Sequence, residues 1–241
     1  MESDNIYNKI MELFGRIPEN YSILEEQIDI KTQMAYFERS KNVKENRTSK
    51  SEILARKDLI FNNEVGIKEK MEILTLLATL DDVESFRIIE KFLAECPSEL
   101  KDWTTLALQE SRMTIESSLL DENQVIISTG LGGKGKKLRY FTVLASKTNN
   151  SFTDLQKKLI KKELEFSIMK QDGEIEDIQF YENYSTFLSI VPLNVSIKEL
   201  VKVAIDECNQ IGDFISPRFI LTNVKILSIE EIKNSWNNIS D

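Results

Sequence analysis

The chain has 241 residues with 41% hydrophobic content, enough to build the core of one large domain or of two ordinary ones. Its 31 basic and 40 acidic residues leave a net charge of −9, which opposes broad, non-specific adhesion to nucleic acid. Histidine is absent, which removes the commonest general base at neutral pH, the commonest metal ligand and every Ser-His or Cys-His nucleophile. Two cysteines, Cys96 and Cys208, are too few for a disulfide framework, and both sit in apolar helical contexts as expected of buried free thiols. The first ten residues lack a basic start and an apolar run, and no later stretch approaches the roughly 20 apolar residues of a membrane span. The expectation is a cytoplasmic protein.

From Asn5 to about Leu120 apolar residues recur at three and four, with breaks only at Gly15, Pro18, Gly66 and Pro97. This predicts a string of helices. Thr48 or Ser49 caps one over Lys50 to Asn62, whose inward stripe is Ile53, Leu54, Leu59 and Ile60. A second runs from Ile67 to Thr79. Asp81 caps a third, carrying Val83, Phe86, Ile89 and Leu93 until Cys96-Pro97 stops it, and Ser98 opens a fourth through Leu100, Trp103, Leu106, Ala107, Met113 and Ile115.

Turn signals near Glu64, Asp81 and Pro97 lie about one helix apart, so a helix pair recurs at roughly 33 residues. The stretch Leu80 to Ser111, with its Asp-rich turn, helix, Pro-containing turn and Trp-x-x-Leu-Ala-Leu helix, resembles a HEAT-type repeat. An antiparallel bundle is the alternative. The resemblance implies a stack of helical hairpins presenting a concave contact surface.

After Leu120 the period changes to two. Gln124 to Ser128 reads as a strand, the glycine run as a turn, and Leu138 to Ala145 as its hairpin partner. Asn150 or Ser151 caps a helix to Met169. Turns at Asp172-Gly173 and Glu182-Asn183 bound strands Ile175 to Tyr181 and Tyr184 to Val191, Ser196 caps a helix to Gly212, and a last strand runs from Phe219 to Leu227. From Leu138 the order is strand, helix, strand, strand, helix, strand, which resembles a ferredoxin-like domain in topology. In the tail, Ile232 and Trp236 stand at helical spacing, as for a helix docked on the body. The expected fold is therefore α+β, with a HEAT-like helical domain over 1–120 and a ferredoxin-like α/β sandwich with an extra β-hairpin over 121–241.

Four of the eight glycines fall between Ser128 and Arg139. Gly130, Gly132, Gly133, Lys134, Gly135, Lys136, Lys137 and Arg139 form the candidate partner-binding loop, since clustered glycines and cations suit a contact loop on a rigid scaffold. A phosphate cradle is disfavoured. Both the P-loop and the dinucleotide fingerprint place their glycines between a strand and a helix, whereas this run continues into a strand. Charge is segregated: nine Lys or Arg and one acid lie between Lys134 and Lys162, and seven acids and one base between Glu163 and Glu182. Lys157, Lys158, Lys161 and Lys162 could join the loop in one positive patch. Tyr140, Phe141, Tyr184 and Phe187 sit on strands where RNA-recognition domains stack bases, but Asn183 to Ile190 lacks the motif's glycine and leading base, so core packing is expected. Asp172, Glu174, Glu176, Asp177 and Glu182 flank turns and are expected to face solvent.

No catalytic, cofactor or metal residues assemble. The sequence reads as a non-enzymatic protein-interaction scaffold with a protein partner, no membrane, and a homo-oligomer allowed. An RNA-binding or ribosome-associated protein using the basic glycine hairpin is the alternative, and a nucleotide-dependent enzyme a distant third.

Overall fold

A computed structural model describes residues 20–46, 48–122 and 124–238, together with Glu12, Gly15 and Pro18. The helical reading of 5–19 lies outside the described residues apart from those three. The fold class is α+β. Two compact units divide the described chain: Asn20–Ser22 with Ile28–Ile127, and Ile23–Gln27 with Ser128 onward. Among the described residues no helix is long and apolar enough to cross a membrane.

The helical unit contains α1 (Ile30–Asn46), α2 (Lys50–Ala55), a 3-10 turn (Lys57–Phe61), α3 (Ile67–Ala78), α4 (Val83–Glu95) and α5 (Ser98–Leu120). Ser49 closes a reciprocal capping box with Glu52, which satisfies two otherwise orphaned N–H groups, but the helix predicted to Asn62 tightens to 3-10 after Arg56. Asp82, rather than Asp81, caps α4 by accepting from the Ser85 N–H; Asp81 instead takes the Ser118 hydroxyl. Trp103 on α5 is buried and donates its indole N–H to the Met71 carbonyl and to Thr75. The expectation of a HEAT-like stack is corrected here. In a repeat array each helix pair packs on the next, whereas the 23-residue α5 is the common partner of α1, α3 and α4. Ile73, Leu74, Leu77, Ile89, Leu100 and Leu106 fill the resulting bundle core.

The second expectation to be corrected is the hairpin from Gln124. Strand β1 (Tyr21–Ile23) pairs with β2 (Val125–Ile127) in a separate two-stranded sheet. The hairpin that precedes the long strand is much shorter: β3 (Gly133–Lys134) pairs with the start of β4 (Lys137–Ser146) through a two-residue turn. Alternation alone cannot choose between two partners, and the distant β1 won.

The sheet unit continues with α6 (Asp154–Met169), β5 (Glu174–Phe180), β6 (Tyr184–Pro192), α7 (Ile197–Gly212), β7 (Ile215–Thr222) and α8 (Ile229–Asn238). β6 pairs with both β4 and β5, and β7 with the other side of β4, all antiparallel, giving the order β7-β4-β6-β5. Thr153, rather than Asn150 or Ser151, caps α6 in a capping box with Gln156, and β7 begins four residues before the predicted Phe219. By alternation Leu138, Tyr140, Thr142 and Leu144 face one side of the sheet, and Arg139, Phe141 and Val143 the other. Phe141 and Val143 form a core with Leu131, Ile220 and Ile232, against which Tyr184, Leu188 and Trp236 also pack. The tail helix thus docks as expected. Burying this face leaves Phe141 and Tyr184 as core residues, and Tyr140 and Phe187 are buried too, although Tyr184 keeps partial exposure.

The start of α8 is fixed by a reciprocal pair in which Ser228 N–H donates to Glu231 and Glu231 N–H to the Ser228 hydroxyl. The Lys225 ammonium, then the Ser228 N–H, holds the Glu231 carboxyl down to about 2. A folded-state value below the ordinary one near 4.3 means that this contribution is present above that value and disappears as pH falls through about 2. Acidification from about 4.3 toward 2 is therefore expected to loosen α8 and red-shift Trp236 emission, and Glu231→Gln should remove that component of the transition. An identical acid profile in the variant would contradict the assignment.

Candidate functional site

The glycine segment is a structural crossing before it is a tip. Gly130, Gly132 and Gly133 are buried, while Lys134, Gly135 and Lys136 are exposed. A Cβ on Gly130 would stand 1.7 Å from the Val224 carbonyl oxygen, and one on Gly132 2.3 Å from the Glu25 carbonyl oxygen. Gly132 also has φ +66°, a left-handed conformation that glycine adopts without strain. The segment is bonded along its length: Leu131 N–H to the Asn223 carbonyl at 3.0 Å, Gly132 N–H to the Thr129 carbonyl at 3.2 Å, Gly133 N–H to the Glu25 carbonyl at 3.3 Å and Gly135 N–H to the Glu25 carboxylate at 2.7 Å. Backbone amides that would cradle an anion are already used by the protein itself.

The cations of this run are paired as well. Arg139 donates to Glu176 through two nitrogens at 2.5 and 3.0 Å and to the Leu131 carbonyl at 2.7 Å, with its side chain only 14% exposed. The Glu176 carboxylate is the largest cause of a further rise in the already high Arg139 pKa, so the guanidinium is fixed in its charged form. Lys137 meets Asp172 at 2.9 Å, Lys134 meets Glu174 at 3.2 Å, and Lys136 is exposed at the turn. Arg139 and Glu174 are both register partners of Ile190, so Arg139 of β4 reaches Glu176 of β5 across β6. The acidic run therefore neutralises the basic loop. Nothing in the sequence spacing reveals this, because the register of the strand between them decides it. Among the described residues no group of acids, cysteines or histidines could hold a metal ion.

The lysines of α6 have a different environment. Lys158 and Lys162, one turn apart and exposed, have no bonding or ion-pair partner among the described residues. Lys157 and Lys161 reach Asp154 and Glu165 only at 3.7 and 3.8 Å. Four positive charges thus occupy two successive turns in the middle of α6. The loop cations contact Asp172 and Glu174, beyond the opposite end of α6, so the two parts of the basic segment do not form one patch.

An exposed aromatic follows the end of β5. Tyr181 is 44% exposed and its ring stacks on Tyr184, with centroids 4.6 Å apart and planes at 15°. Burial is the first cause of a raised Tyr184 pKa, so its phenol stays protonated at neutral pH. Phe152, two residues before α6, packs edge to face on Phe180, and Asn183 donates to Asn149. Sequence reading missed Tyr181, since neither its stacking nor its exposure has a sequence signal.

No family model and no curated protein matches the chain. Two solved structures are similar to part of it. One is described as a putative transposase from Deinococcus radiodurans R1, at 14% identity and TM-score 0.34, with 43% of this chain and 89% of that chain covered. The other is a tyrosine transposase bound to a REP hairpin, at 9% identity and TM-score 0.33, with 43% and 63% covered. At these scores the likeness assigns this chain no activity, ligand or site residue. The expectation of a HEAT-like protein-binding scaffold is corrected by the packing itself: among the described residues α5 is the shared partner of α1, α3 and α4, so the repeat stack on which the scaffold rested is not formed. Its alternative, RNA binding through the glycine hairpin, has three of its four loop cations, Lys134, Lys137 and Arg139, engaged by Glu174, Asp172 and Glu176.

Proposed function

We propose that this chain binds the phosphate backbone of nucleic acid through the lysine face of α6. The observation that carries the reading is the cluster of four lysines within two turns, two without a carboxylate partner, in a unit whose loop cations are neutralised at close range. Residues four apart on a helix stand about 5–6 Å from one another, close enough for adjacent side chains to grip successive phosphates. The net charge of −9 does not forbid this. At physiological salt the Debye length is about 8 Å, so a phosphate at α6 responds chiefly to the charges nearest it. The sheet unit is read as ferredoxin-like, which is supported by the order β4-α6-β5-β6-α7-β7 and the strand order β7-β4-β6-β5.

The test compares two quadruple variants by fluorescence anisotropy with a labelled DNA hairpin bearing a single-stranded tail. Lys157, Lys158, Lys161 and Lys162→Gln is expected to weaken binding at least thirtyfold. Lys134, Lys136, Lys137 and Arg139→Gln is expected to reduce protein stability and to change affinity less than threefold in the folded fraction. Equal affinity of the α6 variant and the parent would overturn the reading.

A further inference from the structure

The helical unit holds a cleft of about 840 Å³ that plays no part in the proposed nucleic-acid contact. Its wall contains one deeply placed carboxylate, Glu110, whose side chain is 12% exposed. Tyr36, fully buried, donates its phenol to one Glu110 oxygen at 2.5 Å, and the buried Ser40 hydroxyl donates to the other at 2.5 Å. Burial, then the Glu110 charge, raises the Tyr36 pKa well above its ordinary value, so this donor keeps its proton. From the solvent side the carboxylate is closed by Lys44 at 2.7 Å, a flexible side chain that is itself 55% exposed. Phe37, Met113 and Ile126 supply apolar wall beside this pair, and Gln124 a carboxamide with no partner among the described residues.

The parts divide by rigidity. Tyr36 and Ser40 are packed and fix the orientation of Glu110, whereas Lys44 reaches in from water and surrenders side-chain freedom to stay there. A carboxylate held from behind by two hydroxyls and covered in front by a mobile ammonium is a seat for an ammonium, with Lys44 as its resident occupant. A free amine would make the same charge-assisted bond, release Lys44 to solvent, and bury its own carbon body on Phe37, Met113 and Ile126. With Lys44 off the seat the lining carries Glu110 and Glu45 against Lys41 alone, so an anion there would meet a net negative charge.

We propose that this cleft is a binding site for a small organic amine with an apolar body, whose ammonium replaces that of Lys44 on Glu110. The substitution that discriminates is Lys44→Met, which keeps most of the stem and vacates the seat. Isothermal titration with 2-phenylethylamine and hexylamine is expected to give millimolar binding to the parent chain. Binding to Lys44→Met should be at least tenfold tighter, and binding to Glu110→Gln undetectable. 3-Phenylpropionate and 2-phenylethanol, which carry the same phenylethyl body as the aromatic amine, should bind at least tenfold more weakly than it to Lys44→Met. Amine affinity unchanged or weakened in Lys44→Met would overturn the proposal, as would a carboxylate or alcohol that binds as tightly as the amine. Because Lys44→Met retains Glu110 with Tyr36 and Ser40, the comparison stands even where Glu110→Gln does not fold.

Discussion

Gly130→Ala is expected to destabilise the protein by about 4 kcal/mol or more, a large share of the roughly 5–15 kcal/mol that holds a typical domain. The added methyl would stand 1.7 Å from a backbone oxygen, at Val224, and 2.7 Å from the carbonyl carbon. No rotamer change relieves a clash with main chain, so the crossing at 128–132 must move. Moving it would break the Leu131 N–H bond to Asn223 and pull Leu131 out of the core it shares with Phe141, Val143, Ile220 and Ile232. Gly135→Ala is the control. It meets nothing within 4 Å and bears only the left-handed φ of +60°, worth about 1 kcal/mol for a residue with a Cβ. Urea midpoints measure both. Equal small shifts would show that the glycines serve an open loop rather than a close-packed crossing.

Arg139→Met is expected to cost about 2 kcal/mol, because it removes a two-nitrogen, charge-assisted pair from a half-buried guanidinium and leaves Glu176 without that partner. Glu176, 26% exposed, would lose both its guanidinium bonds, and the Leu131 carbonyl would lose a donor at 2.7 Å. Glu176→Met alone should cost less, since Arg139 keeps the Leu131 carbonyl. The double variant should lie closer to the parent than the sum of the two single losses, with a coupling of about 1–2 kcal/mol. Strict additivity in chemical denaturation would mean that the pair is solvated and that Arg139 remains free to meet a ligand.

Much of the fold could be read from the chain because it depends on local chemistry. The capping residues Ser49 and Ser196, the stop at Cys96-Pro97 and the turn at Asp172-Gly173 act within a few residues of themselves, and each marks the boundary of an element where punctuation places it. What depended on distant partners could not be read. β2 alternates like a hairpin arm, yet its partner is β1, roughly a hundred residues earlier. The turn spacing near Glu64, Asp81 and Pro97 suggested hairpin repeats, but spacing does not say which helix packs on which, and α5 serves three neighbours.

The candidate site shows the same division. The glycine cluster stands out in the sequence, whereas its close approach to the protein's own main chain at Glu25 and Val224 follows only from the structure. The segregation of charge was visible along the sequence, while its consequence, Arg139 of β4 held by Glu176 of β5 across β6, required the sheet register. The four lysines of α6 were visible as a run. That two of them have no acidic partner follows only from the surroundings of the helix.

The most direct test of nucleic-acid binding through α6 is the dependence of hairpin-DNA affinity on salt, measured for the parent chain between 50 and 200 mM. Four lysine–phosphate contacts predict log K falling against log salt with a slope of about −3 to −4, since each neutralised phosphate contributes about −0.9. The slope should flatten toward zero when Lys157, Lys158, Lys161 and Lys162 become Gln. No detectable binding at 50 mM salt, or a slope that the four substitutions leave unchanged, would contradict the account.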